Sequence, residues 1–119
     1  MIQSKYILDI LNLLIGSDIE GILLRNQLSF LCDESYTYTG LGLFVRFSYQ
    51  DAIKKYKLTR KIAVLDGVEI ESSELNISAY AILFLKEGIV DYLEIASNDG
   101  VYPNKELTNY VLRQTWIDQ

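Results

Sequence analysis

The chain lacks histidine altogether and has one cysteine and one proline among its 119 residues. The absence of histidine excludes Ser-His and Cys-His nucleophile pairs and every histidine-containing zinc set. The single cysteine, Cys32, excludes an internal disulfide and a thiolate metal site, and is more typical of a small buried hydrophobic residue than of a reactive thiol. Carboxylates remain as groups that could perform acid–base chemistry or bind a hard cation.

A glycine loop that could bind phosphate is also missing. The stretch Gly40-Leu41-Gly42 has no third glycine, and it runs into a strand pattern where a helix start is required. The sequence therefore predicts no catalytic residue, no metal site and no cofactor.

Length and composition indicate a single domain spanning 1–119. Half of the residues are apolar and 23% are charged, which is typical of soluble folded proteins rather than of disordered ones. The first apolar stretch is too short and too interrupted for a signal peptide or a membrane-spanning segment. We therefore expect a cytoplasmic protein with no membrane association.

Two helices are predicted at the N-terminus. Apolar residues recur at helical spacing from Ser4 to Leu14, and Gly16 is a suitable C-terminal cap. Ser17 followed by Glu20 fits a capping box. This predicts a second helix, with Gly21 inside it.

After Asp33 the apolar residues alternate, as they do in strands. Strands are predicted in the ranges 36–39, 41–49, 65–71, 78–96 (a hairpin) and 110–117 (a last edge strand), with a connecting turn or short helical turn at 50–61. The predicted fold class is α+β: two N-terminal helices followed by a mainly antiparallel sheet of about five to six strands.

The hairpin is predicted to turn at Glu87-Gly88, with Gly88 at positive φ. A regular ladder from this turn pairs Phe84 with Asp91 and Ile82 with Leu93. It places two apolar sets on opposite faces, namely Tyr80, Ile82, Phe84, Leu93 and Ile95, and Ala79, Ala81, Leu83, Leu85, Val90 and Tyr92. The hairpin should therefore be central and covered on both sides, or one side should be an interface.

Charge is distributed unevenly along the chain. Residues 1–60 hold seven bases and six acids, for a charge of +1, whereas 61–119 hold four bases and ten acids, for −6. Lys86 is the one base between Asp66 and Asp99. The acidic half is either a solvated surface or a surface complementary to a basic partner. The net charge of −5 disfavours direct binding of nucleic acid.

The acidic half supplies the candidate partner-binding residues. They are Glu69, Glu71, Glu74, Asp91, Glu94 and Asp99. The alternation of the first three is typical of an exposed strand edge. The predicted register puts Asp91 and Glu94 on opposite faces, which is poor geometry for one catalytic site, and Glu94 would then lie near a sheet edge or pair with a base such as Arg46.

Two segments resemble small bacterial immunity proteins of toxin and antitoxin pairs, including those of contact-dependent growth inhibition systems. The first is Tyr38-Thr39-Gly40-Leu41-Gly42-Leu43-Phe44; the second is Leu83-Phe84-Leu85-Lys86-Glu87-Gly88-Ile89 followed by Tyr92-Leu93-Glu94-Ile95. The resemblance covers roughly Gln27 to Pro103. It implies a non-enzymatic α+β domain that blocks a secreted toxin in the cytoplasm.

The sequence leaves three hypotheses of function. The first is an immunity-type protein, a monomer or weak homodimer, that binds and neutralises a basic toxin domain such as a nuclease. The second is a structural or adaptor protein that self-associates through the apolar second face of the hairpin. The third is an enzyme that uses Asp91 or Glu94.

Overall fold

A computed structural model describes residues 1–16, 18, 20–73 and 75–115. The helices are α1, Lys5–Gly16, and α2, Gly21–Leu28, and a short 3₁₀ helix covers Asp51–Tyr56. The strands are β1, Leu31–Tyr38; β2, Gly42–Tyr49; β3, Val64–Ser72; β4, Ile77–Lys86; β5, Ile89–Ser97; and β6, Val111–Gln114. The predicted α+β class is confirmed.

The six strands form one antiparallel sheet in the order β1-β2-β5-β4-β3-β6. The β4–β5 hairpin lies at its centre, as predicted. The last strand, β6, lies at one edge as predicted, although residues 116 and 117 of the predicted strand are outside the described part of the chain. The sheet is thus assembled mainly from neighbours in sequence, except where β5 joins β2 and β6 joins β3.

Helix α1 has the extent that its apolar spacing predicts. Ser4 precedes it, and its hydroxyl accepts a hydrogen bond from the backbone N–H of Ile7 at 3.1 Å, which is the geometry of an N-terminal cap. The buried residues of this helix are Tyr6, Ile7, Ile10, Leu11, Leu14 and Ile15. They pack against β3, β4 and β6, and this contact defines the inner face of the sheet.

Helix α2 does not begin with the predicted capping box. Ser17 lies outside the described residues, and Gly21 is the first helical residue rather than an interior one. The Glu20 carboxylate instead accepts hydrogen bonds from the Thr59 hydroxyl at 2.7 Å and from the backbone N–H groups of Thr59 and Arg60 at 3.0 and 3.2 Å. A loop distant in sequence thus supplies the hydrogen-bond donors for Glu20.

The core fills the space between the helices and the inner face. The sheet residues buried there include Leu43, Val45, Phe47, Val68, Ile70, Ala79, Ala81, Leu83, Leu85, Val90, Leu93 and Ile95. The segment after β5 closes one end of the core through buried Tyr102 and Leu107. The hydroxyls of Tyr102 and Tyr6 are hydrogen-bonded at 2.8 Å, so both polar groups are satisfied where they are buried.

The predicted turn is confirmed, but the predicted register of the hairpin is wrong beyond it. Glu87 and Gly88 form the turn at φ 53° and 80°, which are the two positive angles of a type I′ hairpin. Leu85 pairs with Val90 as predicted. The next pair along β4 joins Phe84 to Tyr92, so the strand has one extra residue on the β5 side, a β-bulge.

The physical reason for the bulge is the charge on Glu94. A regular ladder would pair Glu94 with Ala81 on the inner face, where an unpaired carboxylate is costly to bury. The bulge rotates the rest of β5, so that Leu93 and Ile95 are buried while Tyr92 and Glu94 lie on the opposite face. Compared with the two apolar sets predicted for the hairpin, Tyr92 therefore moves to the set of Tyr80, Ile82 and Phe84, and Leu93 and Ile95 move to the set of Ala79, Ala81 and Leu83.

A buried glutamine holds the tip of this hairpin. Gln27 in α2 is fully buried, and its amide nitrogen donates to the carbonyls of Tyr56 and Gly88 at 2.8 and 2.9 Å. Its amide oxygen accepts from the N–H of Val90 at 3.0 Å. One side chain thus joins α2, the 3₁₀ helix and both sides of the tip, and satisfies backbone groups that the sheet leaves unpaired.

Candidate protein-docking surface

The face of the sheet opposite the helices carries a row of large side chains. We define the outer face by the residues that alternate with the buried ones on the three strands at its centre: Phe44, Arg46, Tyr80, Ile82, Phe84, Tyr92 and Glu94. Phe44 is 39% exposed and Tyr80 is 40% exposed. Helix α1 packs against the other, inner face, and α2 contacts α1, β5 and the 3₁₀ helix.

Three aromatic rings cross the middle of the outer face. Phe84 and Tyr92, paired across the hairpin, stack with ring centroids 4.5 Å apart and planes 10° from parallel. Phe44 reaches Tyr92 from the neighbouring strand at 6.3 Å, in a tilted contact. Aromatic pairs at these distances attract each other beyond their burial alone. The rings therefore form a pre-ordered apolar patch rather than isolated exposed side chains.

Arg46 covers part of this patch. It is opposite Tyr92 in the β2–β5 ladder, and its guanidinium carbon lies 5.4 Å from the centre of the Tyr92 ring, within the range of a cation–π contact. Its Nη1 is 3.6 Å from the Asp91 Oδ1. The guanidinium is thus placed between an aromatic ring and a carboxylate.

The predicted separation of Asp91 and Glu94 is wrong. Glu94 lies on the outer face between Phe44 and Ile82 in the register, and the Asp91 carboxylate meets Arg46, an outer-face residue. The bulge removes the strict alternation that would have separated them. The predicted partner of Glu94, Arg46, is therefore the ion-pair partner of Asp91.

Glu69 and Glu71 lie on β3, aligned with the outer-face residues of β4. They are not at a strand edge, because β6 pairs with β3 along both residues. Arg113 of β6 forms an ion pair with Glu69 and lies 4.0 Å from Glu71. Both carboxylates are thus partly neutralised within the protein, while Glu74 lies outside the described residues.

Asp99 belongs to the turn that follows β5. Its carboxylate accepts a hydrogen bond from the Ser97 hydroxyl at 2.5 Å. This hydrogen bond lowers the pKa of Asp99 below its ordinary value. Gly100 beside it has φ 82°, a conformation that favours glycine. Asp99 is thus held in a turn, off the strands of the outer face.

The structure therefore brings four of the six candidate residues, Glu69, Glu71, Asp91 and Glu94, to one side of the sheet. Sequence reasoning missed the aromatic centre that they flank, because the regular register put Tyr92 on the other face. One signal was present: Phe44 and Arg46 alternate with Leu43, Val45 and Phe47, which marks them as the opposite side of β2. Cys32, expected to be buried, is exposed on the edge strand β1.

Two recesses border the outer face. One of about 470 Å³ is lined by Phe44 and Glu94 together with the loop at Gly100. Another of about 310 Å³ is lined by Glu69, Tyr80 and Ile82. A larger recess of about 540 Å³ lies elsewhere, between residues 57–63 and the hairpin turn, and none of the six candidate residues lines it.

Within the described part of the chain, no group of three or more Cys, Asp or Glu residues is arranged to hold a metal ion. Neither described helix has the length and apolar character needed to cross a bilayer. The outer face, with its aromatic centre and its carboxylates, is the candidate functional surface on geometry alone. Comparisons with protein-family models, curated proteins and solved structures find no significant match to this chain.

Proposed function

We propose that the chain is a non-enzymatic immunity-type protein that binds a cognate bacterial toxin domain in the cytoplasm and neutralises it. The toxin's contact surface is basic, and a nuclease is the toxin class whose cationic groove fits best. The outer face of the sheet is the docking surface in this proposal.

The uncovered aromatic patch of the outer face supports the proposal most directly. Protein interfaces concentrate Tyr, Phe and Arg at a desolvated centre surrounded by a polar rim. Phe44, Tyr92 and Phe84 supply such a centre, and Arg46 lies over it. The partial exposure of Phe44 and Tyr80 leaves apolar surface for a partner to bury.

The negative charge around this patch supports a partner with a positively charged contact surface. Among the described residues no cation lies within ion-pair distance of Glu94. Glu69, Glu71 and Asp91 outnumber the two arginines that meet them, Arg46 and Arg113. A negative rim accelerates association with a basic surface and repels nucleic acid.

The test is a growth assay in which the adjacent upstream reading frame is expressed with and without this chain. We expect the upstream frame to arrest growth and this chain to restore it. A Glu94→Lys variant should protect at least tenfold less well, because like charges at an interface are repulsive. Asp51→Lys is the matched control: it makes the same charge change at a side chain that is 95% exposed on the 3₁₀ helix.

Equal protection by wild type and Glu94→Lys would contradict the outer face as the docking surface. An upstream product without toxicity, in the presence of normal expression, would contradict the immunity function itself.

The alternative function, self-association as a structural or adaptor protein, is favoured by one observation. The second apolar set predicted for the hairpin is not available for this, because Ala79, Ala81, Leu83, Leu85 and Val90 are buried in the core. Tyr80, Ile82 and Phe84 instead form a continuous row of partly exposed apolar residues along β4, which a second copy of the chain could bury. This alternative predicts a stable homodimer that is insensitive to salt, whereas the toxin complex should weaken as salt increases. Sedimentation equilibrium at two salt concentrations separates the two functions.

A further inference from the structure

Arg46 contacts Tyr92 in the way that a cationic ligand contacts an aromatic binding site. The guanidinium of Arg46 lies over a ring that Phe84 supports from the other side of the hairpin. The Asp91 carboxylate faces the same guanidinium. A ring face combined with a nearby carboxylate is a general recognition site for a planar cation.

We propose that Tyr92 and Asp91 form a receptor for an arginine side chain of the partner, and that Arg46 occupies this receptor in the unbound protein. This inference rests on the proposed function, since it specifies the chemistry by which the outer face recognises a basic partner. Binding then exchanges one guanidinium for another at the same ring.

The internal contact is loose enough to be exchanged. The 3.6 Å between Arg46 Nη1 and Asp91 Oδ1 exceeds an ordinary hydrogen bond, and the Arg46 side chain is 62% exposed. An exposed pair of this kind contributes little to stability. An incoming arginine can approach the Asp91 carboxylate with two parallel N–H donors, a stronger arrangement than the one that Arg46 makes.

The site also keeps a net attraction for cations while Arg46 is in place. Asp91 and Glu94 flank Tyr92 in sequence and supply two negative charges, against the single positive charge of Arg46. Glu94 follows Tyr92 on the same face, beside Phe44 in the register. A partner arginine that displaces Arg46 therefore still finds a negative environment, and the displaced Arg46 can move into solvent.

The experiment compares two arginine variants of the full chain that make the same charge change. Arg46→Gln empties the receptor, whereas Arg25→Gln removes an exposed arginine from α2, in the helical layer behind the sheet. Each is titrated with a hexa-arginine peptide, and binding is followed by calorimetry and by NMR shifts of the Tyr92 ring. Hexa-lysine serves as a peptide of equal charge without planar cations.

We expect Arg46→Gln to bind hexa-arginine about three- to fivefold more tightly than wild type, a gain in the range of one exposed cation–π contact. Arg25→Gln should give less than half of that gain, and hexa-lysine should show a smaller gain with Arg46→Gln than hexa-arginine does. In a Tyr92→Leu background the Arg46→Gln gain should disappear, because the ring is the receptor. Arg46→Lys retains the charge and should give an intermediate gain, which provides a second variant if Arg46→Gln lowers the thermal unfolding midpoint.

Equal effects of Arg46→Gln and Arg25→Gln would reduce the result to net charge and overturn the inference. So would weaker binding by Arg46→Gln, or a gain that persists without the Tyr92 ring. These outcomes are independent of the growth assay: a receptor that behaves as expected, together with an upstream product that is expressed but not toxic, would overturn the proposed function and leave the arginine receptor standing.

Discussion

Both faces of the central strands carry large apolar residues, but the two faces differ in what lies against them. On the inner face, Leu83 and Leu93 are fully buried under the helices. On the outer face, Phe44 and Tyr80 are 39% and 40% exposed. The rings of Phe44, Tyr92 and Phe84 contact one another there rather than a second layer of secondary structure. Apolar residues on both sides of a strand therefore mark a core on one side and a partly exposed surface on the other, and the placement of the helices decides which is which.

The first prediction, with the greatest effect, is that truncating an inner-face side chain lowers the free energy of unfolding more than truncating an outer-face one. Leu93→Ala should lower the free energy of unfolding by about 3 kcal/mol, because it leaves a cavity in packed surroundings. Phe84→Ala should cost about 1 kcal/mol, because the ring is only partly buried and solvent can fill the space. Denaturant titration of both variants measures the difference, and equal losses would mean that the outer face is also covered.

The second prediction concerns the buried Gln27, which joins the tip of the hairpin to α2. Gln27→Leu should lower the free energy of unfolding by about 2 kcal/mol, because three hydrogen bonds to backbone groups are lost, two of them buried. Hydrogen exchange should show the loss of protection concentrated at the N–H of Val90. Asn26→Leu, an exposed neighbour in α2, is the control. A Gln27→Leu protein as stable as wild type would contradict the role of this glutamine at the hairpin tip.

The third prediction, with the smallest effect, compares Glu20, a carboxylate that accepts several hydrogen bonds from the protein, with the exposed carboxylate of Asp51. The Thr59 hydroxyl and neighbouring backbone N–H groups lower the pKa of Glu20 from its ordinary 4.5 to about 2. Because the folded pKa is lowered, the stabilising contribution is complete above about pH 4.5 and is lost as pH falls toward 2.

Unfolding titrations over this pH range should therefore show a smaller decline in stability for Glu20→Gln than for wild type. Asp51→Asn, at an exposed carboxylate with one long ion-pair contact at 3.8 Å, should keep the wild-type decline. A Glu20→Gln profile that parallels wild type would show that the hydrogen bonds of Glu20 do not distinguish the folded from the unfolded state.

The candidate surface was only half visible in the sequence. The charge asymmetry indicated the acidic residues, and Glu69, Glu71, Asp91 and Glu94 lie on one side of the sheet. The aromatic centre was not visible, since an unbroken alternation assigns Tyr92 to the same face as Leu83. One extra residue in β5 reverses that assignment, because strand side chains alternate with a period of two.

The elements whose signals are local were predictable from the sequence. Helical spacing and Gly16 define α1, alternation defines β2, and Glu87-Gly88 defines the turn, because each depends on residues within a few positions of one another. Tertiary structure decided the rest: the bulge in β5, the pairing of Arg113 with Glu69, and the hydrogen bonds of Gln27 to a tip 61 and 63 residues away. These follow from burial, which turns charged Glu94 outward and requires a partner for every buried polar group, and no local pattern contains that requirement.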